Sequence, residues 1–250
     1  MNLKEMQAEM LSMLCDVDAL FKKNDIPYML LGGSVLGAIR HNGFIPWDDD
    51  VDIGILRCHF EKAENLLASM DKYVYEYAEK HIVPDGPCAH LHSTKGVLKI
   101  KESPTLDFFP IDTVPSLNDK RELRKFMFLA NVHHLAVLRK APKNHGLFAK
   151  MALGFVVLIT PNFIFDKIQK YTLKKILSKH YEEKWLGNIW QGTTEFFPEK
   201  MYLESTTHVF EGHEFPIPKD YEGYLTALYG DWRQLPPENE RNPKHMQMPV

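Results

Sequence analysis

Residues 30–56 read LLGGSVLGAIRHNGFIPWDDDVDIGIL, and the reading of this segment decides the fold. An apolar run from Tyr28 to Leu31 ends in Gly32-Gly33-Ser34. Ser34 is placed to cap a helix over Val35 to His41, and bare N–H groups at such a start make an anion site. Gly43 and Pro46 then turn the chain before Trp47-Asp48-Asp49-Asp50. From Asp50 to Ile55 acidic or small positions alternate with apolar ones, the period of a half-buried strand. Alternation sets Asp50 and Asp52 on one face and Val51, Ile53 and Ile55 on the other. Two carboxylates beside a phosphate cradle make a divalent-cation site suited to phosphate chemistry.

Upstream, Leu3, Met6, Met10, Leu14, Val17, Leu20 and Phe21 recur at helical steps, which predicts an amphipathic helix over residues 3–23. Asn24 to Pro27 ends it. Downstream, Phe60 to Met70 reads as a helix, Tyr73 to Tyr77 as a strand, and Pro84 to Pro87 as a turn. Val97 to Lys101 and Thr105 to Phe109 form a second strand pair, the latter running into Pro110. Its alternation puts Leu106 and Phe108 on one face and Thr105, Asp107 and Phe109 on the other. A carboxylate between Leu and Phe needs a partner, because burying it alone is costly. A metal shared with Asp50 and Asp52, an ion pair with Lys99 or Lys101, and an edge-strand position would each supply one.

Ser116 with Asp119 resembles the start of a capping box for a long helix reaching about Lys140, where Ala141-Pro142 stops it. Residues 145–183 read as mostly helical, broken near Pro161. Gly187 to Gly192 and Met201 to Glu204 read as short strands. Val209 to Ile217 reads as a hairpin turning at Glu211-Gly212. Asp220 caps a helix over Tyr221 to Tyr229 that Gly230 ends, and the Pro-rich tail wraps the surface.

The chain has 250 residues, enough for one substantial domain or two small ones, with an ordinary globular composition of 44% hydrophobic and 25% charged residues. A net charge of −3 argues against a nucleic-acid partner held by bulk electrostatics. Cys15, Cys58 and Cys88 are odd in number and lack CxxC spacing, which fits a reducing cytosol. The N-terminal segment is charged and amphipathic, unlike a signal peptide. Met151 to Phe165, MALGFVVLITPNFIF, carries no charge but is shorter than the roughly 20 residues of a spanning helix, and Pro161 interrupts it. The favoured reading is a helix pair buried in the core. The alternative is a shallow membrane contact helped by Lys167, Lys170, Lys174, Lys175 and Lys179. His90/His92 and His133/His134 could suggest zinc, but without cysteine partners at finger spacing the favoured reading is surface or packing residues.

Gly32-Gly33-Ser34, Leu36-Gly37-Ala38, Arg40-His41, the run Gly43 to Trp47, Asp48 to Ile53, Asp107 to Asp112, and the tail Tyr229-Gly230-Asp231-Trp232 with Leu235 to Glu238, Arg241 and His245 together resemble the LicD family. These are bacterial phosphocholine transferases of surface glycans, related to the fukutin-type ribitol-phosphate transferases of animals. The resemblance covers Tyr28 to about Asp112 and about Phe210 to the end. It implies an α+β fold with a nucleotidyltransferase-like core, a small mixed sheet flanked by helices, plus a helical insertion and a C-terminal mixed extension. One domain over residues 1–250 is expected: core 1–115, mostly helical subregion 116–186, mixed segment 187–250.

The resemblance further implies a CDP-alcohol donor, most simply CDP-choline, and a glycan acceptor such as lipopolysaccharide or teichoic acid. CMP would be released in the cytoplasm or at the inner face of the membrane. Asp50, Asp52 and Asp107 are the expected catalytic carboxylates and ligands of Mg2+ or Mn2+, with Asp112 in reserve for Asp107. Gly33, Ser34, Arg40 and His41 are expected to bind donor phosphate. Asp48, Asp49, Trp47, Arg241 and His245 are secondary candidates; Asp48 and Asp49 also read as loop charges, Trp47 as a packing anchor, and Arg40 as their ion-pair partner. The competing readings are a nucleotidyltransferase moving NMP from an NTP, and an inactive glycan-binding relative.

Overall fold

The computed structural model describes residues 1–76, 88–93, 95, 103–138, 154–155, 157–189 and 192–243. The expected turn at Pro84–Pro87, the expected strand at Val97–Lys101 and the end of the tail from residue 244 lie outside these. The chain forms two compact units. The first comprises Met1–Lys80, Cys88–Ile111 and Glu199–Val250, the second His81–Pro87 and Asp112–Pro198.

In the first unit, α1 (Leu3–Lys23) opens with a capping box between Asn2 and Glu5 and buries the stripe Met6, Met10, Met13, Leu14, Val17 and Phe21. Phe21 meets Tyr28 and Phe108 edge-on, at ring separations of 5.5 and 6.2 Å. Such fully buried side chains contribute roughly 1.5–3 kcal/mol each. The sheet is mixed, with order β1-β2-β5-β4-β3. Its strands are β1 (Met29–Leu30), β2 (Asp52–Leu56), β3 (Val74–Glu76), β4 (Ala89–His92) and β5 (Thr105–Val114). β2 and β5 are parallel and the other pairs of this order antiparallel. Helices α2 (Gly32–His41) and α3 (Arg57–Ala68) flank it. This is the α+β architecture expected.

Four local expectations change. The helix after the Gly-Gly pair starts at Gly32, with Leu31 as the cap residue, so Ser34 lies inside the first turn. β2 begins at Asp52, not Asp50. β5 continues through Pro110 to Val114. The Asp107 N–H points to β2, donating to Val51 O at 2.9 Å, so alternation turns the Pro110 nitrogen to the other side. There the β4 ladder has already ended at Phe108–Ala89, and no hydrogen bond is forfeited. Met201 to Glu204 is not a strand. Residues Lys200–Leu203 form a short helix, α6, before the hairpin β8 (Ser205–Phe210) and β9 (His213–Pro218). The hairpin turns at Glu211-Gly212 as expected, both at positive φ (50° and 80°), as a two-residue type I′ loop requires. Asp220 caps α7 (Tyr221–Tyr229), accepting from the Gly223 N–H at 3.1 Å.

In the second unit, residues 112–114 of β5 pair with β6 (Trp185–Gly187), and β6 pairs with β7 (Phe197–Pro198). The expected strand at Gly187–Gly192 therefore ends where it was to begin, and Gly192–Glu195 is a 3-10 turn. α4 (Lys120–Leu138) packs on α5 (Asn162–Leu177) around Phe126, Ala130, Ile176 and Phe196. Asp119, not Ser116, caps α4: its Oδ1 accepts from the Arg121 and Glu122 N–H groups at 3.1 and 3.0 Å. The buried-core reading of Met151–Phe165 fails over most of its described part. Phe155 is 62%, Leu158 82%, Ile159 59% and Phe163 59% exposed, while Phe165 is buried. No described helix is long and apolar enough to cross a membrane.

Candidate active site

The N-terminus of α2 is where the acidic residues gather. Gly32 takes φ +49°, a conformation that only glycine adopts cheaply, and a Cβ there would stand 3.1 Å from Asp52 Oδ2. A Cβ on Gly33 would stand 3.1 Å from Asp48 Oδ2. The glycine pair thus lets two carboxylates lie against the positive end of the helix, which favours negative charge. Ser34 contributes differently from a cap: its Oγ accepts the Asp52 N–H at 3.0 Å, and its own N–H donates to Leu31 O at 3.0 Å. The Gly32 N–H donates to Tyr224 Oη at 2.9 Å. Among the described residues, Gly33 retains a first-turn N–H without a hydrogen bond.

Asp52 and Asp107 are register partners across the parallel β2–β5 pair. Neighbouring strands run about 4.8 Å apart, so the two carboxylates share one face of the sheet as neighbours. β5 lies between β2 and β4, which removes the edge-strand reading of Asp107. The partner it has is His90, whose Nδ1 is 2.6 Å from Asp107 Oδ1. Lys99 and Lys101 lie outside the described residues. Register extends the row across the sheet: Asp52, Asp107, His90 and Glu76 stand at one level on four strands.

Asp50 is off the strand and belongs to a second group. Carboxylate oxygens of Asp48, Asp49 and Asp50 all lie within 4.8 Å of one another, and Asp49 is buried. Three oxygen donors at that spacing, beside a glycine cradle that a side chain would fill, fit a hard cation such as Mg2+. The loop bearing them is pinned on its N-terminal side. Gln7 Nε2 donates to Ile45 O and Asp48 O at 3.2 and 2.9 Å, and Glu211 Oε1 accepts the Phe44 N–H at 3.1 Å.

Arg40 makes its hydrogen bonds to the tail and to its neighbour in α2. Its Nη1 donates to Trp232 O and Gln234 O at 2.9 and 3.2 Å, and its Nε donates to His41 Nε2 at 3.0 Å, so it fastens the tail. Burial, and then the Arg40 charge, push the His41 pKa down, which agrees with a neutral imidazole accepting that bond. Trp47 lies between His41, at a ring separation of 6.5 Å, and the Arg241 guanidinium, 5.7 Å over its ring. Asp112 is buried in the second unit, where its backbone pairs with Gly187. It is an odd number of residues from Asp107, so strand alternation points the two to opposite faces. His245 lies outside the described residues.

Tyr224, Cys88 and His90 were not singled out by sequence reasoning as site residues. Cys88 Sγ is 3.5 Å from His90 Nε2. The signal was present as Cys88-x-His90-x-His92, an every-second-residue pattern that a strand places on one face. Tyr224 gave no signal, since only the docking of α7 brings its hydroxyl to Gly32.

The family model described as "LicD/FKTN/FKRP, nucleotidyltransferase domain" matches residues 25–120. The chain is 30% identical over 268 residues to the lipopolysaccharide cholinephosphotransferase LicD of Haemophilus influenzae, covering 99% of this chain and 97% of that one. It is 47% identical over 60 residues to an uncharacterized protein of Rickettsia prowazekii, 24% of this chain and 23% of the relative. A 30-residue segment is 63% identical to the ribitol 5-phosphate transferase FKRP of Mus musculus, 12% of this chain and 6% of that protein.

Proposed function

The chain belongs to the LicD family, and from that premise we propose that it transfers a phospho-alcohol, phosphocholine, from a CDP-alcohol donor to a hydroxyl of a cell-surface glycan. The observation that carries the reading is the pairing of Asp52 with Asp107 at the glycine-rich start of α2. In the reaction the acceptor oxygen attacks the phosphorus bearing the alcohol, and the bond between that phosphorus and the bridging oxygen breaks. CMP leaves with the bridging oxygen and its electron pair.

Phosphoryl-type transfer asks the protein mainly for position and charge. Asp107, held by His90, accepts the proton of the attacking hydroxyl. The Gly33 N–H and the α2 dipole receive a donor phosphate oxygen. Asp50 and Asp52, with Asp48 and Asp49 beside them, are the proposed holders of Mg2+ or Mn2+; bound there, the cation would neutralise pyrophosphate charge. Arg40 and Glu211 hold the tail and the acidic loop in place.

The exposed apolar side chains Phe155, Leu158, Ile159 and Phe163, followed by Lys167, Lys170, Lys174 and Lys175, support docking on an anionic membrane surface that presents the acceptor. Incubation with CDP-choline, CDP-ribitol, CTP and ATP plus Mg2+ tests the whole reading. CMP release from a CDP-alcohol is expected. Pyrophosphate release from CTP or ATP would instead identify a nucleotidyltransferase, and donor binding without turnover on any acceptor an inactive relative.

A further inference from the structure

The same face of the first unit carries a second donor set, of different chemistry from the all-oxygen loop. Cys88, His90 and Asp107 each offer one ligand atom, and the three atoms lie within 4.8 Å of one another. Cys88 is 7% exposed and the side chains of His90 and Asp107 are 12% and 16% exposed, so the group is largely shielded from water. Cys88 Sγ stands 3.5 and 3.9 Å from the two ring nitrogens of His90. With zinc–sulfur and zinc–nitrogen bonds of about 2.3 and 2.0 Å, tetrahedral geometry puts sulfur and nitrogen roughly 3.5 Å apart.

His92, two residues further along β4, provides an independent indication. His92 Nδ1 stands 2.9 Å from Thr105 Oγ1 and 3.2 Å from Ser103 Oγ. Its other ring nitrogen, Nε2, lies on the Glu76 side. That nitrogen is fully buried and has no hydrogen-bond partner among the described residues. Its neighbour is Glu76 Oε2 at 3.5 Å. A buried polar atom without a partner is costly, and a cation held between the imidazole and the carboxylate would satisfy both. The His92 ring lies 5.6 Å from that of His90.

We propose that Cys88, His90 and Asp107, with His92 on the flank toward Glu76, form a site for a thiophilic first-row divalent cation of the Zn2+ type. Thiolate and imidazole select such ions, whereas the carboxylates of Asp48–Asp50 select hard ones. The site shares Asp107 with the proposed transfer chemistry, so an ion bound here withdraws the proton acceptor. That consequence alone rests on the transferase reading; metal binding does not.

Cobalt reports on the site without turnover. Full-length protein freed of metal by chelation is titrated with Co2+, and one equivalent is expected to give thiolate-to-cobalt charge-transfer absorption in the near ultraviolet. Cys88→Ser removes the absorption, and His90→Gln weakens binding about 10- to 100-fold or more. Cys58→Ser, an exposed cysteine, and Asp50→Asn leave the absorption unchanged. Melting curves without metal establish that each variant is folded, and His90→Gln serves if Cys88→Ser is not. Absence of the band in the wild-type protein, or its persistence in folded Cys88→Ser, overturns the site. One equivalent of Zn2+ is expected to suppress CMP release. A cobalt band with undiminished CMP release leaves the metal site standing and overturns the role of Asp107 in transfer.

Discussion

Asp52 and Asp107, 55 residues apart in the chain, are direct register partners on adjacent parallel strands, and the Asp107 N–H donates to the residue before Asp52 at 2.9 Å. The pairing puts two carboxylates side by side where the sheet meets the start of α2. Asp52→Asn is therefore expected to lower CMP release by about 100-fold or more while removing little volume. Its thermal unfolding should match the wild type. A folded Asp52→Asn protein with full activity would remove Asp52 from the site.

Tyr224 supports the same helix start from behind. Its hydroxyl accepts the N–H of buried Gly32, and Tyr224→Phe leaves that donor without a partner. The expected loss is about 1–3 kcal/mol in a denaturant titration. An unchanged midpoint would mean that water or another group replaces the hydroxyl without cost.

Arg40 ties the tail to α2 through two backbone carbonyls. Arg40→Gln should speed limited proteolysis within residues 231–243 while leaving the affinity for CDP-choline, measured by calorimetry, unchanged. A large loss of donor affinity with an intact tail would return Arg40 to the phosphate site.

Glu195 offers a pH test in the second unit. Burial pushes its carboxyl up to about 7 from an ordinary 4.5. Between those values the folded state holds the proton and the unfolded state has lost it, so stability falls as pH rises through the interval. Glu195→Gln is expected to raise stability at pH 8 by up to ~3 kcal/mol and to change it little at pH 4. Melting temperatures across that range measure it; an equal shift at both ends would refute the linkage.

Leu158→Glu combined with Phe163→Glu should abolish co-sedimentation with phosphatidylcholine vesicles containing phosphatidylglycerol. Transfer to a water-soluble acceptor should be unaffected. Retained binding, or equal binding of the parent protein to vesicles without the anionic lipid, would count against the membrane surface.

Local patterns in the sequence determined a good deal. Helical periodicity placed α1, Asp220 and Gly230 bounded α7, and Glu211-Gly212 made the hairpin turn, because each depends on neighbours a few residues away. Alternation placed Asp107 opposite Leu106 and Phe108, and the motif from Arg40 to Asp52 announced the family. Tertiary structure decided what those residues face. It moved Asp50 off the strand, drew Arg40 to the tail, and opposed Asp107 to both Asp52 and His90. It also left Leu158 and Phe163 exposed, since an uncharged run reads the same whether it is buried or not. The physical reason is range. Dihedral preferences and side-chain period act along the chain, whereas strand register, helix docking and burial depend on segments that meet only after folding.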